Sequence, residues 1–132
     1  MPKIRVCFYL SGKDLNFDEI SRYLELEPTF VRGEEQWPEA SKQAGLAEDL
    51  WCLYTSMDKS KSVSEQFDKM QNNLFSKKEK IIEICKKNCL ESSFEIRIEM
   101  AHNDPPEIVL SRENLRFISA INAEIGFDLY ID

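Results

Sequence analysis

The sequence predicts one α+β domain over residues 1–132, built as a two-layer sandwich with helices on one face of a mostly antiparallel sheet. The first observation is that apolar and polar residues alternate cleanly in the candidate strands, which is typical of a sheet with one buried face. The second is that apolar residues recur at helical spacing between those strands. A length of 132 residues suits a single domain. We expect a ferredoxin-like variant of this class, with the element order βαβααββαβ.

The first half of the chain predicts two strands, one helix and a long loop. Residues 4–10 alternate between apolar and polar side chains and form the first strand. Asn16 and the glutamate three residues later have the form of a capping box, which begins a helix that ends before Pro28. Residues 28–49 show no clean period, so we expect a long acidic loop there. The aromatic-rich segment 50–57 predicts the second strand.

The next segment predicts a helical pair followed by a strand. Ser62 begins a second capping box, and apolar residues continue at helical spacing as far as Cys85. The capping signature is repeated at Ser76, so we expect one helix that kinks near Phe75–Ser76, or two helices that meet there. Residues 94–100 then alternate between apolar and charged side chains and predict a third strand.

The last segment predicts a strand, a helix and a final strand. Residues 108–110 form a short apolar run that predicts a strand. Ser111 is expected to cap the helix that follows, and Gly126 to end it. Residues 127–131 alternate once more and predict the last strand.

The acidic charge is concentrated in one stretch of the chain. Residues 14–49 hold ten carboxylates and three basic side chains, so this stretch alone equals the net charge of −7 of the whole protein. Such a field attracts cationic partners and opposes nucleic acid. An acidic surface that serves only solubility is the alternative interpretation. The candidate partner-binding acids of the predicted loop are Glu34, Glu35, Glu39, Glu48 and Asp49.

The cysteines and the single histidine do not predict a metal or catalytic centre. Cys85 and Cys89 are four residues apart on one helix face and could clip a metal, but a closed zinc site needs four ligands. His102 has no partner at ligand spacing, and Cys7 and Cys52 lie on strands. We therefore expect buried, inert cysteines, no metal and no cofactor. Since nucleophile and phosphate-binding motifs are also absent, we expect that the protein is not an enzyme.

A period of two places a second group of candidates on the sheet face away from the helices. These partner-binding candidates are Tyr9, Tyr54, Arg97 and Tyr130. Tyrosine and arginine are enriched among the residues that dominate the energetics of protein interfaces. Ordinary cross-strand packing beneath the 28–49 loop is the alternative, and the pattern leaves open whether that loop covers the face.

Several segments resemble a bacterial family called domain of unknown function 4279. The resemblance lies in the helix Phe17–Thr29, the glycine-centred turn Arg32–Glu34, the tryptophan strand at Leu50–Trp51 and the C-terminal helix and strand of Leu110–Tyr130. No established activity comes with this resemblance. It implies a small, stand-alone cytoplasmic bacterial protein, of a kind that includes immunity proteins found beside polymorphic toxins.

These observations lead to three functional hypotheses. The first is a non-enzymatic acidic binding protein, most specifically an immunity protein that neutralises a bacterial toxin domain with a basic substrate groove. The second is a structural or regulatory module that forms a homodimer through the open sheet face. The third is a small enzyme of unknown reaction. No apolar run approaches the ~18 residues of a membrane span, so we expect a cytoplasmic protein without membrane contact.

Overall fold

The structure is a computed structural model that describes all 132 residues. The chain forms six strands and five α-helices, with short 3-10 turns at Glu34–Gln36 and Phe75–Lys77. The elements are, in order, β1 (Lys3–Gly12), α1 (Phe17–Leu24), β2 (Phe30–Arg32), α2 (Glu39–Gln43), β3 (Asp49–Tyr54), β4 (Asp58–Lys59), α3 (Val63–Leu74), α4 (Lys78–Asn88), β5 (Glu91–Met100), α5 (Arg112–Ala120) and β6 (Glu124–Ile131).

All six strands form one sheet in the order β2-β3-β1-β5-β6, and β4 pairs with the start of β1. Every pairing is antiparallel except that of β5 with β6, which is parallel. A parallel pair needs a crossover connection, and α5 lies within the one between β5 and β6. The predicted class, an α+β fold with helices on one face of a mostly antiparallel sheet, is confirmed.

The hydrophobic core lies between the sheet and its helices. The apolar set of β1, which includes Val6 and Phe8, is fully buried on this side. The ring of Phe94 on β5 packs 5.1 Å from that of Phe8 and 4.9 Å from that of Phe67 on α3, measured between centroids. Trp51 is also fully buried, as the sequence predicts. The alternation of β1 and β5 thus separates a packed face from the face without helices.

Side-chain caps set the beginnings of three helices. Asn16 accepts a hydrogen bond from the backbone N–H of Glu19 at 3.0 Å, and Ser62 accepts one from Glu65 at 3.1 Å. Ser111 caps α5 in the same way, so these three predicted caps are confirmed. The capping signature at Ser76 is wrong, because Ser76 lies inside the 3-10 turn and α4 begins after Lys77 without a side-chain cap. The predicted kink is also confirmed, because a 3-10 turn at Phe75–Lys77 separates α3 from α4.

Three predictions about individual elements are wrong. The expected loop 28–49 contains β2, a 3-10 turn and α2, elements of three to five residues that are too short for a period to reveal. Residues 108–110 form no strand, and Ile108 and Val109 are about half exposed. Gly126 lies inside β6, while the left-handed position after α5 belongs to Asn122, whose φ is 56°. Asparagine tolerates that conformation better than most other residues.

The cysteines divide by position. Cys7 and Cys52 are buried in the sheet as expected, whereas Cys85 is half-buried. Cys89 is exposed, which corrects the expectation of four buried thiols, since it occupies the left-handed position that ends α4. No group of three or more His, Cys, Asp and Glu side chains is arranged to hold a metal ion. None of the helices has the length and apolar character that a membrane span requires.

Candidate functional site

The sheet face opposite the helices carries the tyrosines and arginines that the sequence singled out. Cys7 pairs with Tyr54 and Tyr9 with Cys52, while Arg97 pairs with Asp128 on β6. Paired residues in a sheet project to the same side. Tyr9, Tyr54, Arg97 and Tyr130 therefore share the face that has no helix on it.

The half of this face on β1, β2 and β3 is aromatic. Tyr54 lies at its centre, with the Tyr9 ring edge-on at 6.2 Å and the Phe30 ring at 6.3 Å between centroids. The guanidinium carbon of Arg5 lies 4.5 Å from the centroid of the Tyr54 ring, in a cation–π contact. Beneath these side chains, burial raises the pKa of the Cys7 thiol. The thiol is therefore protonated at neutral pH and packs as an apolar group.

The other half of the face, on β5 and β6, is built around a second arginine–tyrosine pair. The guanidinium of Arg97 lies 4.0 Å from the centroid of the Tyr130 ring, and its Nε donates to Glu99 at 3.2 Å. Tyr130 donates its hydroxyl proton to Asp128 at 2.9 Å, and this hydrogen bond is the first cause of its raised pKa. The Arg97 side chain is thus held in place from two sides.

The two halves join into one band across the sheet. Arg5 and Arg97 are direct cross-strand partners on β1 and β5. The residues of this arginine–tyrosine band are Phe30, Tyr54, Arg5, Arg97 and Tyr130, one from each of five adjacent strands. Phe30 is 39% and Tyr130 43% exposed. Each arginine is stacked on a tyrosine, so the band presents flat, ordered rings and guanidinium groups to its surroundings.

The acidic candidates lie in a separate region, residues 28–49, which form the acidic segment, and they differ in structural role. Asp49 accepts hydrogen bonds from the backbone N–H groups of Leu15 at 2.9 Å and Glu34 at 2.7 Å. Its carboxylate therefore ties the acidic segment to the loop before α1. Glu34 lies 4.0 Å from the Lys13 ammonium, and Glu39 lies 3.9 Å from Lys42.

Glu48 and Glu35 are the two remaining acidic candidates. Glu48 contributes its backbone carbonyl, which accepts a hydrogen bond from the Trp37 indole at 2.7 Å. Glu35 is exposed on the 3-10 turn, as is Glu39 at the start of α2. These last two carboxylates are the acids of the segment that are most accessible to another molecule.

The acidic segment borders the band at one edge of the sheet. Arg32 on β2 lies 4.5 Å from the Trp37 ring, which anchors the segment beside β2. Tyr130 lies on β6 at the opposite edge, four strand spacings away, or about 19 Å. The structure thus separates the candidate residues into an acidic region and a band that begins beside it.

Three residues of this surface were absent from the sequence-based candidates. Arg5 and Asp128 share the face by the same period of two that identified Tyr9 and Tyr130, so the alternation carried the signal. Phe30 had no such signal, because β2 is only three residues long.

A groove lies on the other side of the molecule. It has a volume of about 740 Å³ and runs between α4 and the beginnings of β5 and β6, where Cys85 and Ser92 contribute to its wall. Burial raises the pKa of Cys85 to about 11, so this thiol is protonated at neutral pH. The hydroxyl of Ser92 donates to the Ile121 carbonyl at 3.1 Å. Neither group has the activation that a nucleophile requires.

One comparison with known proteins identifies a family. The model of the family described as "Domain of unknown function (DUF4279)" matches residues 2–132. The chain belongs to this family. The match covers nearly the whole chain and confirms the resemblance that the first helix, the tryptophan strand and the C-terminal helix and strand indicate. No curated protein and no solved structure matches the chain. The DUF4279 assignment thus agrees with a single domain whose sheet and helices span the same residues.

Proposed function

We propose that this DUF4279 chain is a non-enzymatic, acidic protein-binding protein, and most specifically a cytoplasmic immunity protein that neutralises a bacterial toxin domain. The observation that carries the proposal is the arginine–tyrosine band on a sheet face without helices. The charge of the acidic segment and the net charge of −7 support a basic protein as the partner.

The band has the composition and order of an interface anchor. Arginine and tyrosine are enriched among the residues whose truncation costs most in protein complexes. Arg5 and Arg97 are already stacked on Tyr54 and Tyr130, so little side-chain freedom remains to be lost on binding. A partner that covers these rings would gain apolar contact together with hydrogen bonds to the guanidinium groups.

The acidic segment supports a basic partner. A toxin domain that cuts nucleic acid needs a basic substrate groove, and an acidic protein can occupy that groove by charge complementarity. Glu35 and Glu39 are exposed on the acidic segment, which borders the band at β2 and would meet such a groove. Charges of this kind act mainly on the rate of association, whereas buried aromatic anchors act on the rate of dissociation.

A homodimeric regulatory module is the second candidate, and the half-exposed rings of Phe30 and Tyr130 favour it. Sedimentation of the purified protein over a range of concentrations separates the two candidates. A monomer at micromolar concentration agrees with a foreign partner, while a dimer that is lost in the Tyr54→Ala and Tyr130→Ala variants would support self-association instead.

The first experiment identifies the partner and tests neutralisation. The tagged protein and its Tyr54→Ala/Tyr130→Ala variant are used as baits in the native bacterium, and captured proteins are compared by mass spectrometry. We expect a basic toxin domain that only the unmodified bait retains. Co-expression of that domain with this chain should restore growth, and failure to restore it would contradict the immunity function.

The second experiment assigns kinetic roles by surface plasmon resonance over a salt series. Reversal of charge at Glu34, Glu35 and Glu39 to lysine should slow association and weaken its salt dependence. Tyr54→Ala or Tyr130→Ala should speed dissociation and cost ~1–3 kcal/mol of binding free energy.

A matched control keeps the net charge change the same. The triple variant Glu79→Lys/Glu107→Lys/Glu113→Lys reverses three exposed acids outside the acidic segment and should change association much less. If binding is unchanged by both the charge reversals and the tyrosine substitutions, the interface lies elsewhere on the protein.

A further inference from the structure

Strand β6 is the edge of the sheet, and its outer side has no partner strand. It pairs only with β5. At its end, Asp132 donates its backbone N–H to Met100 at 3.0 Å and accepts from the N–H of His102 at 3.0 Å, so both backbone groups of Asp132 face β5. Backbone groups alternate in direction along a strand. The N–H and C=O groups of Ile125, Phe127, Leu129 and Ile131 therefore point outwards.

The two faces of this edge differ in chemistry. On the helix side, Phe127, Leu129 and Ile131 are 44%, 47% and 56% exposed, although they lie beside the buried side of β5. On the opposite side the edge carries Glu124, Asp128 and Asp132. An edge strand is normally protected by lysine, proline or a covering element. The β6 sequence, Glu-Ile-Gly-Phe-Asp-Leu-Tyr-Ile, contains neither lysine nor proline.

We propose that β6 binds an extended segment of a basic partner protein as an added strand, and that this segment alternates basic and apolar residues. The inference rests on the proposed function, in which the partner is basic. Strand addition would satisfy the outward backbone groups, while alternate side chains of the partner segment would meet the acidic and the apolar sides of β6.

Charge disfavours a second copy as the occupant. One antiparallel register of self-pairing places residue 125 opposite 131 and 127 opposite 129, so that Asp128 faces Asp128 and Glu124 faces Asp132. The register with 127 opposite 127 places Asp128 opposite Gly126 and diagonal to Asp128 of the second copy, so acids lie close together in both registers. Like charges directly opposite each other destabilise a strand pair. A segment with lysine or arginine at those positions would remove the repulsion and add attraction.

The probe is a synthetic peptide of about nine residues that alternates lysine and valine, the length of a strand like β6. Its binding is measured by isothermal calorimetry, and its position by hydrogen exchange of single backbone amides. We expect slower exchange at Ile125, Phe127, Leu129 and Ile131 in the complex. A peptide of the same composition with its lysines grouped at one end should bind at least about tenfold more weakly.

Two variants of the protein test the edge itself. Leu129→Pro removes an N–H group that faces outwards and leaves the ladder with β5 intact, so peptide binding should fall at least about tenfold. Glu124→Lys/Asp132→Lys should also weaken binding of the lysine–valine peptide, and it remains informative if the proline variant does not fold. The control Glu79→Lys/Glu107→Lys makes the same change in net charge at exposed acids outside the proposed binding surfaces and should leave peptide binding unchanged.

The outcomes separate this proposal from the proposed function. Equal loss of peptide binding in the Glu79→Lys/Glu107→Lys control, or exchange protection outside β6, would overturn strand addition. So would a homodimer that protects the β6 amides without peptide. A toxin domain that binds the Leu129→Pro variant as tightly as the unmodified protein would overturn strand addition and leave the immunity function standing.

Discussion

Trp51 connects the sheet to α1 through both packing and a hydrogen bond. The side chain is fully buried, and its Nε1 donates to Ser21 on α1 at 3.0 Å. Trp51→Ala should lower the free energy of unfolding by ~3–5 kcal/mol, because it leaves a large cavity. Urea denaturation measures this loss. Trp37→Ala serves as the control and should lower the free energy of unfolding by less, since Trp37 is only half-buried. A melting temperature for Trp51→Ala within a degree or two of the unmodified protein would contradict the placement of Trp51 in the core.

The buried thiols make stability depend on alkaline pH. Burial raises the pKa of Cys52 to about 12, from an ordinary value of 9.0. Between these values the unfolded chain has lost the proton that the folded chain retains, so the free energy of unfolding falls as pH rises. The stabilising contribution is complete below pH 9.0 and is lost as pH rises towards about 12.

Comparison with a variant isolates this effect from the other groups that titrate in the same range. Urea denaturation of the unmodified protein and of Cys52→Ala is measured at intervals from neutral pH to about 10.5. The unmodified protein should lose stability more steeply above pH 9.0, by up to about 1.4 kcal/mol per pH unit. If the free energy of unfolding falls equally with pH in the two proteins, the Cys52 thiol is not the cause of the pH dependence.

At the scale of elements, Asp49 fixes the acidic segment to the rest of the fold. Its two carboxylate oxygens accept hydrogen bonds from the N–H groups of Leu15, which lies before α1, and Glu34, which lies after β2. Asp49→Ala should cost ~1–3 kcal/mol, because the two donors lose their partner. Glu48→Ala is the matched control and should change stability by less than ~0.5 kcal/mol. If denaturation shows the same loss of free energy of unfolding in both variants, the two hydrogen bonds of Asp49 do not fix the acidic segment.

The same elements show which parts of the fold a local sequence pattern can predict. Long periodic segments such as β1, β5 and α3 were predictable because a whole face of each is buried. The three-residue β2 depends on pairing with β3, which no local pattern encodes. Residues 108–110 are apolar and strand-like but have no neighbouring strand to pair with. Local propensity was therefore sufficient where burial followed a period and insufficient where pairing decided the structure.

At the scale of the whole molecule, the candidate surface was predictable only in part. The period of two placed Tyr9, Tyr54, Arg97 and Tyr130 on one face, and the strand registers agree with that placement. The order of the strands, which brings Arg5 next to Arg97 and makes β6 an edge, depends on long-range pairing. That order also sets the distance between the acidic segment and Tyr130. The pattern of charges along the chain does not predict this distance.

The overall charge leads to a prediction about nucleic acid. The net charge is −7, and the acids Glu35 and Glu39 are exposed on the segment that borders the arginine–tyrosine band. Stable binding of a phosphate backbone depends on release of counterions by clustered basic groups. Arg97, one of the two arginines of the band, already donates to Glu99 and has Asp128 as its strand partner, so its charge is partly neutralised.

We therefore expect no saturable binding of nucleic acid, even though tyrosines on an open sheet face can stack on bases in other folds. Fluorescence anisotropy with labelled single- and double-stranded DNA and RNA at low salt measures it, because low salt favours any electrostatic binding. The Glu35→Lys/Glu39→Lys/Glu99→Gln variant provides a positive comparison: if the acids oppose binding, this variant should bind RNA more than the unmodified protein does. Micromolar affinity of the unmodified protein would contradict the electrostatic argument and favour a nucleic-acid-binding function for the arginine–tyrosine band.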